Sequence, residues 1–206
     1  MKLKSRKLDF YNLPTEQVAK DLIGDILEIN LRNSNKPIQV KIVETEAYLG
    51  LEDPACHTFG GKKTPRTASM FLPGGHSYVY FIYGMYHCLN VVTGDESRPE
   101  AVLIRALEPV SGEDRMRRLR NPKKRYDLCN GPGKLCLALG IDQKHDGLKL
   151  NQKPMRILTP RDKASPKIST SPRIGIGTKH EACFWHLRFF EKDNPWVSKV
   201  PSGNPK

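Results

Sequence analysis

The segment Ile38–Tyr48 reads IQVKIVETEAY and alternates apolar with polar residues over its first half. A period of two is typical of a β-strand with one buried face, so this segment is predicted to be a strand. Glu44 and Glu46 then share the apolar face that begins at Ile38. Buried carboxylates are costly to desolvate unless they are paired. Ion pairing or solvation at the strand end is the simpler interpretation, and the spacing alone favours it.

The whole chain has 206 residues and a formal net charge of +12. Its length fits one domain, which we expect to span 1–200, followed by a tail at 201–206. A surplus of positive charge attracts polyanions such as nucleic acid or an acidic membrane surface. There is no apolar run of about 18 residues and no signal-peptide core, so no membrane association is predicted and the expected location is cytoplasmic.

Regular structure is predicted on both sides of the opening strand. The residues 26–31 are expected to form a hairpin with it, through a turn at 33–37. Thr15 is a candidate N-cap for a helix that ends at Gly24, and Ser111 is one for a helix that runs to about Leu119. The other predicted elements are a short helix at 135–139 and strands at 77–83, 88–92, 101–107, 155–158, 173–177, 186–190 and 196–200.

Chemistry is expected near the long irregular stretch 49–76, because loops of that length in a domain are usually functional or disordered. Four tyrosines follow within nine residues, at 78, 80, 83 and 86. They are core side chains or a platform for stacked bases, with equal weight. Arg105 interrupts an apolar strand, so it needs an acceptor, which is either a carboxylate in an ordinary ion pair or a phosphate. A carboxylate beside a stacked base suits a general base that activates water.

The cysteine and histidine patterns of the sequence give little support for a metal site or for redox chemistry. The five cysteines are an odd number in a chain without an export signal, so we expect reduced thiols. Cys56-His57 and Cys183-x-x-His186 have no second matching pair, and no metal site is predicted. The signature of a zinc deaminase is absent. A lysine Schiff base stays open on composition, although no lysine lies in an apolar stretch.

Eight short motifs lie in one order along the chain: ETEAYLG at 44–50, TPR at 64–66, YVY at 78–80, IYGMY at 82–86, LIRALEP at 103–109, GPGKL at 131–135, RIG at 173–175 and PWVS at 195–198. Together they closely resemble the alkyladenine (3-methyladenine) DNA glycosylase family, over about residues 8–200. The resemblance implies an α+β fold, a single mixed domain around a curved antiparallel β-sheet with short peripheral helices.

The activity that the resemblance implies is DNA repair. Such an enzyme flips a damaged purine, for example 3-methyladenine or hypoxanthine, out of duplex DNA. It hydrolyses the N-glycosidic bond with an activated water and leaves an abasic site. No metal or organic cofactor is expected, the partner is double-stranded DNA, and the protein is expected to be a nucleoid-associated monomer.

The resemblance also assigns roles to residues at the centre of the site. Glu46 matches the general base that activates water. Arg105 matches the residue that positions this water, together with the backbone at Ile174. Tyr48 and Tyr80 match the aromatic side chains between which the flipped base lies. Glu44 receives no catalytic role and is expected to be structural.

Other residues match groups that select the base. His57 completes the pocket and reads the edge of the base together with the backbone near Ala55. Asn90 matches a residue that excludes guanine through its exocyclic amine. Cys56 and His87 depart from the family pattern, where a small apolar residue and an aromatic residue are expected. We expect these departures to affect the range of substrates.

DNA contacts are expected from Tyr83, Met70 and Lys134. Tyr83 matches the wedge that fills the space left by the flipped base. Lys134 follows Pro132-Gly133 at a helix start, which would suit a phosphate or be only a helix end. Two other functions stay open: a binding module of the same fold without catalysis, and a hydrolase directed at RNA. A general acid for neutral lesions is not evident from the sequence.

Overall fold

Strands dominate the computed structural model, which describes residues 2–31, 36–162, 165–177 and 179–199. Within these ranges one antiparallel sheet of ten strands carries three α-helices. The predicted α+β class is confirmed. The strands are β1 (Leu3–Ser5), β2 (Ile26–Ile29), β3 (Ile38–Tyr48), β4 (Ser77–Ile82), β5 (Tyr86–Thr93), β6 (Glu100–Ser111), β7 (Asn151–Gln152), β8 (Met155–Pro160), β9 (Ile168–Ser171) and β10 (Arg188–Glu191); the helices are α1 (Thr15–Leu22), α2 (Glu113–Leu119) and α3 (Pro132–Leu139).

The central strand is β3, the segment whose alternation is clearest in the sequence. Along one edge it pairs with β6. Its other edge is shared by β2, which pairs with the first half, and β10, which pairs with residues 44–46. The strand order is β1-β8-β2-β3-β6-β5-β4. The predicted hairpin of β2 with β3 is confirmed, and residues 33–35 of its predicted turn lie outside the described residues.

Irregular pairing marks the middle of β3. The register with β6 shifts between Ile42 and Glu44 and again between Glu44 and Thr45. Such bulges locally re-aim side chains, so the apolar face predicted from Ile38 onward does not continue unbroken to the glutamates. Glu44 and Glu46 nevertheless lie on one side of the strand, because the guanidinium of Arg105 contacts both carboxylates.

The main core joins the sheet to α1 and α3. Thr45 donates a hydrogen bond to the carbonyl of Ala19 in α1 over 2.8 Å, which ties that helix to the strand. Helix α3 buries an apolar stripe that includes Leu135 and Leu139. It ends at Gly140, whose left-handed φ of +63° lets its N–H return to the last turn. The predicted end of this helix is therefore confirmed.

Both predicted N-caps are wrong. Thr15 is the first residue of α1, and its hydroxyl contacts Thr93 at 2.6 Å and the carboxylate of Glu100 instead of capping the helix. Ser111 is the last residue of β6, because pairing with Gln39 extends this strand beyond its predicted end. In both cases a contact with a distant part of the chain replaces the local cap.

Two predicted strands are also wrong. The residues 173–177 are irregular, with a bend at 174–175 in which Gly175 has a φ of +78°, a conformation that a strand does not accommodate. The described part of 196–200, which is 196–199, makes no strand pairing within the described sheet. Strands β1, β7 and β9 were not predicted, since they are short and β9 is largely polar. The expected tail at 201–206 lies outside the described residues.

None of the described helices is long and apolar enough to cross a membrane. All five cysteines are free thiols, as predicted, and all five are buried.

Candidate active site

A cavity of about 310 Å³ lies at the carboxyl-terminal end of β3. Its walls come from the loop after β3, from β4 and β5, and from the chain that follows Arg173. The long loop 49–76, which was predicted to be functional, therefore helps to enclose it. The residues that line the cavity are Tyr48, Pro54, Ala55, Cys56, His57, Met70, Tyr78, Tyr80, Ile82, Asn90, Ala101, Gly175, Ile176, Gly177 and His180.

Aromatic rings form much of the wall. The rings of His57 and Tyr80 meet edge to face with centroids 4.7 Å apart, and Tyr78 lies 5.3 Å from Tyr80. The Nδ1 atom of His57 is 2.9 Å from the hydroxyl of Tyr78. Burial lowers the pKa of His57, and the positive charges of Arg66 and Lys62 lower it further. The imidazole is therefore neutral at neutral pH.

Glu46 lies beneath this aromatic wall with no exposed surface. The N–H of Ile174 donates to its Oε1 over 2.7 Å, and the hydroxyl of Tyr48 donates to its Oε2 over 2.9 Å. Burial, and then the charge of Glu46, raises the pKa of Tyr48 well above its ordinary value, so this hydroxyl stays protonated. The carboxylate is thus joined to the cavity through a side chain that lines it.

Arg105 supplies the positive charge next to Glu46. Its guanidinium lies 3.3 Å from Oε2 of Glu46, and its Nε donates to Oε1 of Glu44 over 3.0 Å. Burial by itself lowers the pKa of Arg105, but the charges of Glu46 and Glu44 outweigh this and raise it. The sequence left a carboxylate or a phosphate open as the acceptor for this arginine, and the structure shows two carboxylates.

Glu44 makes contacts that account for its burial. Its Oε1 accepts from Arg188 over 2.7 Å, in addition to Arg105, and from the hydroxyl of Ser198 over 2.7 Å. Its Oε2 accepts the N–H of Ser198, also over 2.7 Å. Fixed donors therefore surround both oxygens, and none of the four contacts belongs to a residue that lines the cavity.

Comparison with known proteins identifies the family of this chain. The family described as "Methylpurine-DNA glycosylase (MPG)" matches residues 9–195. The chain belongs to this family. A protein of Bdellovibrio bacteriovorus named "Putative 3-methyladenine DNA glycosylase" is 50% identical over 194 residues, which cover 93% of this chain and 97% of the relative. Relatives of the same name in Bacillus cereus (strain G9842) and Clostridium tetani are 45% and 43% identical, each covering 92% of this chain and 97% of the relative. This methylpurine-DNA glycosylase is therefore a hydrolase that acts on N-glycosyl bonds.

Three further residues with predicted roles lie in the cavity of the glycosylase. Asn90 is buried and donates through Nδ2 to the carbonyl of Tyr78 over 3.0 Å. The N–H of Ala55 is bonded to Asp53, so the amide at this position is already engaged. Met70 is buried in the wall of the cavity, and its contact with DNA stays a prediction. Any contact from Met70 to a ligand is made inside the cavity.

Tyr83 and Lys134 lie outside the cavity of the glycosylase. Tyr83 is 79% exposed in the tight turn between β4 and β5, and its φ of +54° is uncommon for a bulky residue. The ammonium of Lys134 donates to Asn130 over 2.7 Å. The start of α3 packs against the base of the same turn, since a Cβ on Gly133 would meet the Tyr86 ring at 3.0 Å. The two predicted DNA contacts are thus on neighbouring elements.

One pair of residues in the site has no role in the sequence prediction. Arg173 and Asp53 form a buried ion pair between the two segments that carry Ile174 and Ala55. Asp53 occurs in a polar loop and Arg173 in a stretch that was predicted to be a strand, and the two are 120 positions apart. The only hint in the sequence is an arginine between Pro172 and Ile174, which needs an acceptor if it is buried.

Proposed function

We propose that this glycosylase takes a damaged purine from duplex DNA into the cavity and hydrolyses its N-glycosidic bond with an activated water, leaving an abasic site. The substrates are 3-methyladenine and other alkylated or deaminated purines such as hypoxanthine. The observation that carries the proposal is Glu46, a carboxylate beneath an aromatic cavity that is held by Ile174, Tyr48 and Arg105.

Glu46 acts as the general base. It takes a proton from water while the water oxygen bonds to C1′ of the deoxyribose, and the electron pair of the C1′–N bond leaves with the base. Arg105 and the backbone at Ile174 hold the water and the carboxylate in place. A cationic base such as 3-methyladenine departs neutral, so it needs no proton from the protein. A neutral base such as hypoxanthine leaves with the electron pair of the bond and takes a proton from solvent water.

The cavity holds the base by stacking and selects it by its edge. Tyr48 and Tyr80 stack on the purine with His57, at about 1–3 kcal/mol per stacked contact. Because the Tyr78 hydroxyl is protonated and lies beside Nδ1 of His57, we assign it as the donor in this hydrogen bond. The neutral imidazole then presents its Nε2–H to the edge of the base, beside the backbone at Ala55.

Asn90 is proposed to exclude guanine. It is buried in the wall and anchored to the Tyr78 carbonyl, so it cannot move aside easily. An exocyclic amine that met this rigid amide would lose its hydrogen bonds with water without a full replacement. Bases that lack that amine avoid this cost. The departures at Cys56, which lines the cavity, and at His87 are proposed to adjust the range of substrates.

The turn with Tyr83 is proposed to enter the minor groove as a wedge. Flipping a nucleotide costs a few kcal/mol in unstacking. The exposed ring of Tyr83 would fill the space that the nucleotide leaves and so offset part of this cost. The net charge of +12 and Lys134 at the start of α3 support contacts to phosphates on the same side. The unit 1–200 is proposed to act as a monomer, associated with the nucleoid in the cytoplasm.

The test is the release of free bases from defined duplexes at one fixed salt concentration. We expect 3-methyladenine to leave methylated duplex DNA, and hypoxanthine to leave a duplex that contains one deoxyinosine. Tight binding of these duplexes without the release of any base would contradict the proposal and favour a binding module. Faster release from matched RNA would contradict the assignment of DNA as substrate.

A further inference from the structure

Asp53 and Arg173 form an ion pair in the interior of the protein. Both side chains have no exposed surface. One guanidinium nitrogen contacts Oδ2 of Asp53, and the other donates to Oδ1 over 2.8 Å. Replacing a buried pair with apolar residues is often neutral or stabilising, so stability alone gives a weak reason for its presence. Its fork geometry, however, fixes the relative orientation of the two groups.

Asp53 holds the loop that brings the base-reading residues to the cavity. Besides Arg173, it accepts the N–H of Leu49 over 3.1 Å and the N–H of Ala55 over 3.0 Å. The carboxylate thus closes the turn that begins just after Tyr48 and ends just before His57. Both of these rings line the cavity.

Arg173 holds the opposite side of the same site. It donates to the carbonyl of Ala47 over 2.9 Å, between Glu46 and Tyr48 on β3. Its guanidinium carbon lies 4.6 Å from the centre of the Tyr48 ring. The next residue along the chain is Ile174, whose N–H contacts Glu46. Burial lowers the pKa of Arg173, but the Asp53 carboxylate outweighs this and raises it, so the charge is permanent.

We propose that Asp53 and Arg173 are positioning residues that set the distance between the base-binding wall and the Glu46 carboxylate. The pair connects the loop with His57 to the backbone that holds Glu46. The pair also contacts Tyr48, whose ring is part of the base-binding wall and whose hydroxyl donates to Glu46. The inference rests on the proposed function, in which the wall binds the base and Glu46 activates water. A small displacement then slows hydrolysis while DNA binding through the surface is retained.

The main test is Arg173→Lys, which keeps the charge but cannot bond both oxygens of Asp53 and the Ala47 carbonyl. Single-turnover release of 3-methyladenine is expected to slow about 100-fold, as for a misplacement of about 1 Å. The dissociation constant for a duplex with a stable abasic analogue is expected to stay the same. A folded variant with the wild-type rate would overturn the proposal, and so would a loss of binding equal to the loss of rate.

The matched control is Arg6→Lys. Arg6 also forms a forked pair with a buried aspartate, Asp25, at 2.6 and 3.1 Å, but none of these residues lines the cavity. The control is expected to change thermal stability and to leave the rate unchanged. If it slows release as much as Arg173→Lys does, the effect reflects stability and the proposal fails.

A second variant covers the case in which Arg173→Lys does not fold. The double substitution Asp53→Asn with Arg173→Gln leaves no uncompensated charge in the interior and is expected to fold. It is still expected to release the base slowly, because amide groups do not reproduce the fork. A wild-type rate in this variant would overturn the proposal. The wild type is measured in parallel: if it releases no base, the proposed function fails, not the positioning role.

Discussion

Glu44 and Glu46 lie two residues apart on one strand, are both fully buried, and share the guanidinium of Arg105. Their other neighbours differ. Glu44 is surrounded by a second arginine, Arg188, and by two donors from Ser198. Glu46 instead contacts one backbone N–H and the hydroxyl of a tyrosine that lines the cavity.

Burial therefore does not separate a structural carboxylate from a reactive one; the nature of the partners does. A carboxylate that is saturated by fixed cationic donors has no remaining direction in which to meet a substrate. A carboxylate whose partner is part of a cavity wall lies next to whatever fills that cavity. The register shifts around Glu44 contribute to this difference in partners. They place Arg105 on β6 between the positions opposite Glu44 and Thr45, where its guanidinium contacts both glutamates.

The largest expected effect comes from Glu46→Gln. Loss of the general base should slow single-turnover base release by about 100- to 10,000-fold. The free energy of unfolding should change less than in Glu44→Gln, since Arg105 keeps Glu44 as its counter-charge. Rate and urea unfolding are measured on the same preparation, with Glu108→Gln, a partly exposed ion pair with Lys41, as the control. Full hydrolysis by a normally folded variant would show that the base is a different residue.

Glu44→Gln should show the reverse pattern. It removes the counter-charge shared by Arg188 and Arg105 in the interior, so the free energy of unfolding should fall by about 3–5 kcal/mol. The remaining folded fraction should still release the purine faster than Glu46→Gln does, because the general base, Glu46, is intact. Urea unfolding and the rate per folded molecule check this. A variant that is as stable as the wild type but inactive would exchange the roles of the two glutamates.

The sequence predicts those parts of the molecule that short-range patterns determine. The alternation in β3, the hairpin with β2 and the end of α3 at Gly140 depend on residues within one element or its neighbour. The resemblance also led to side chains that the structure gathers around one cavity, among them Tyr48, His57 and Tyr80. Their proposed roles are still predictions that only activity measurements test.

Contacts between distant segments explain what the sequence does not predict. The pair of Asp53 with Arg173 spans 120 positions, and that of Glu44 with Ser198 spans 154. Neither leaves a periodic signal, and the register shifts around Glu44 depend on the partner strand. The false strand at 173–177 has the same origin. An arginine with a distant partner and a glycine of positive φ bend a segment whose residues alternate like those of a strand.

The smallest expected effect is the pH dependence of the free energy of unfolding that comes from His57. This residue lines the cavity and is not among the four described contacts of Glu44. The pKa of His57 is lowered in the folded protein by burial and then by Arg66 and Lys62. At a pH well above its ordinary pKa of about 6.5, the ring is neutral in both states and contributes no pH dependence. As the pH falls below that value, the unfolded chain takes up the proton first, so the folded state loses stability. Between about pH 7.5 and about pH 5.5, the wild type should therefore lose more free energy of unfolding than His57→Asn. Urea unfolding at both pH values and an NMR titration of the ring check this, and equal losses would mean that the folded protein does not lower this pKa.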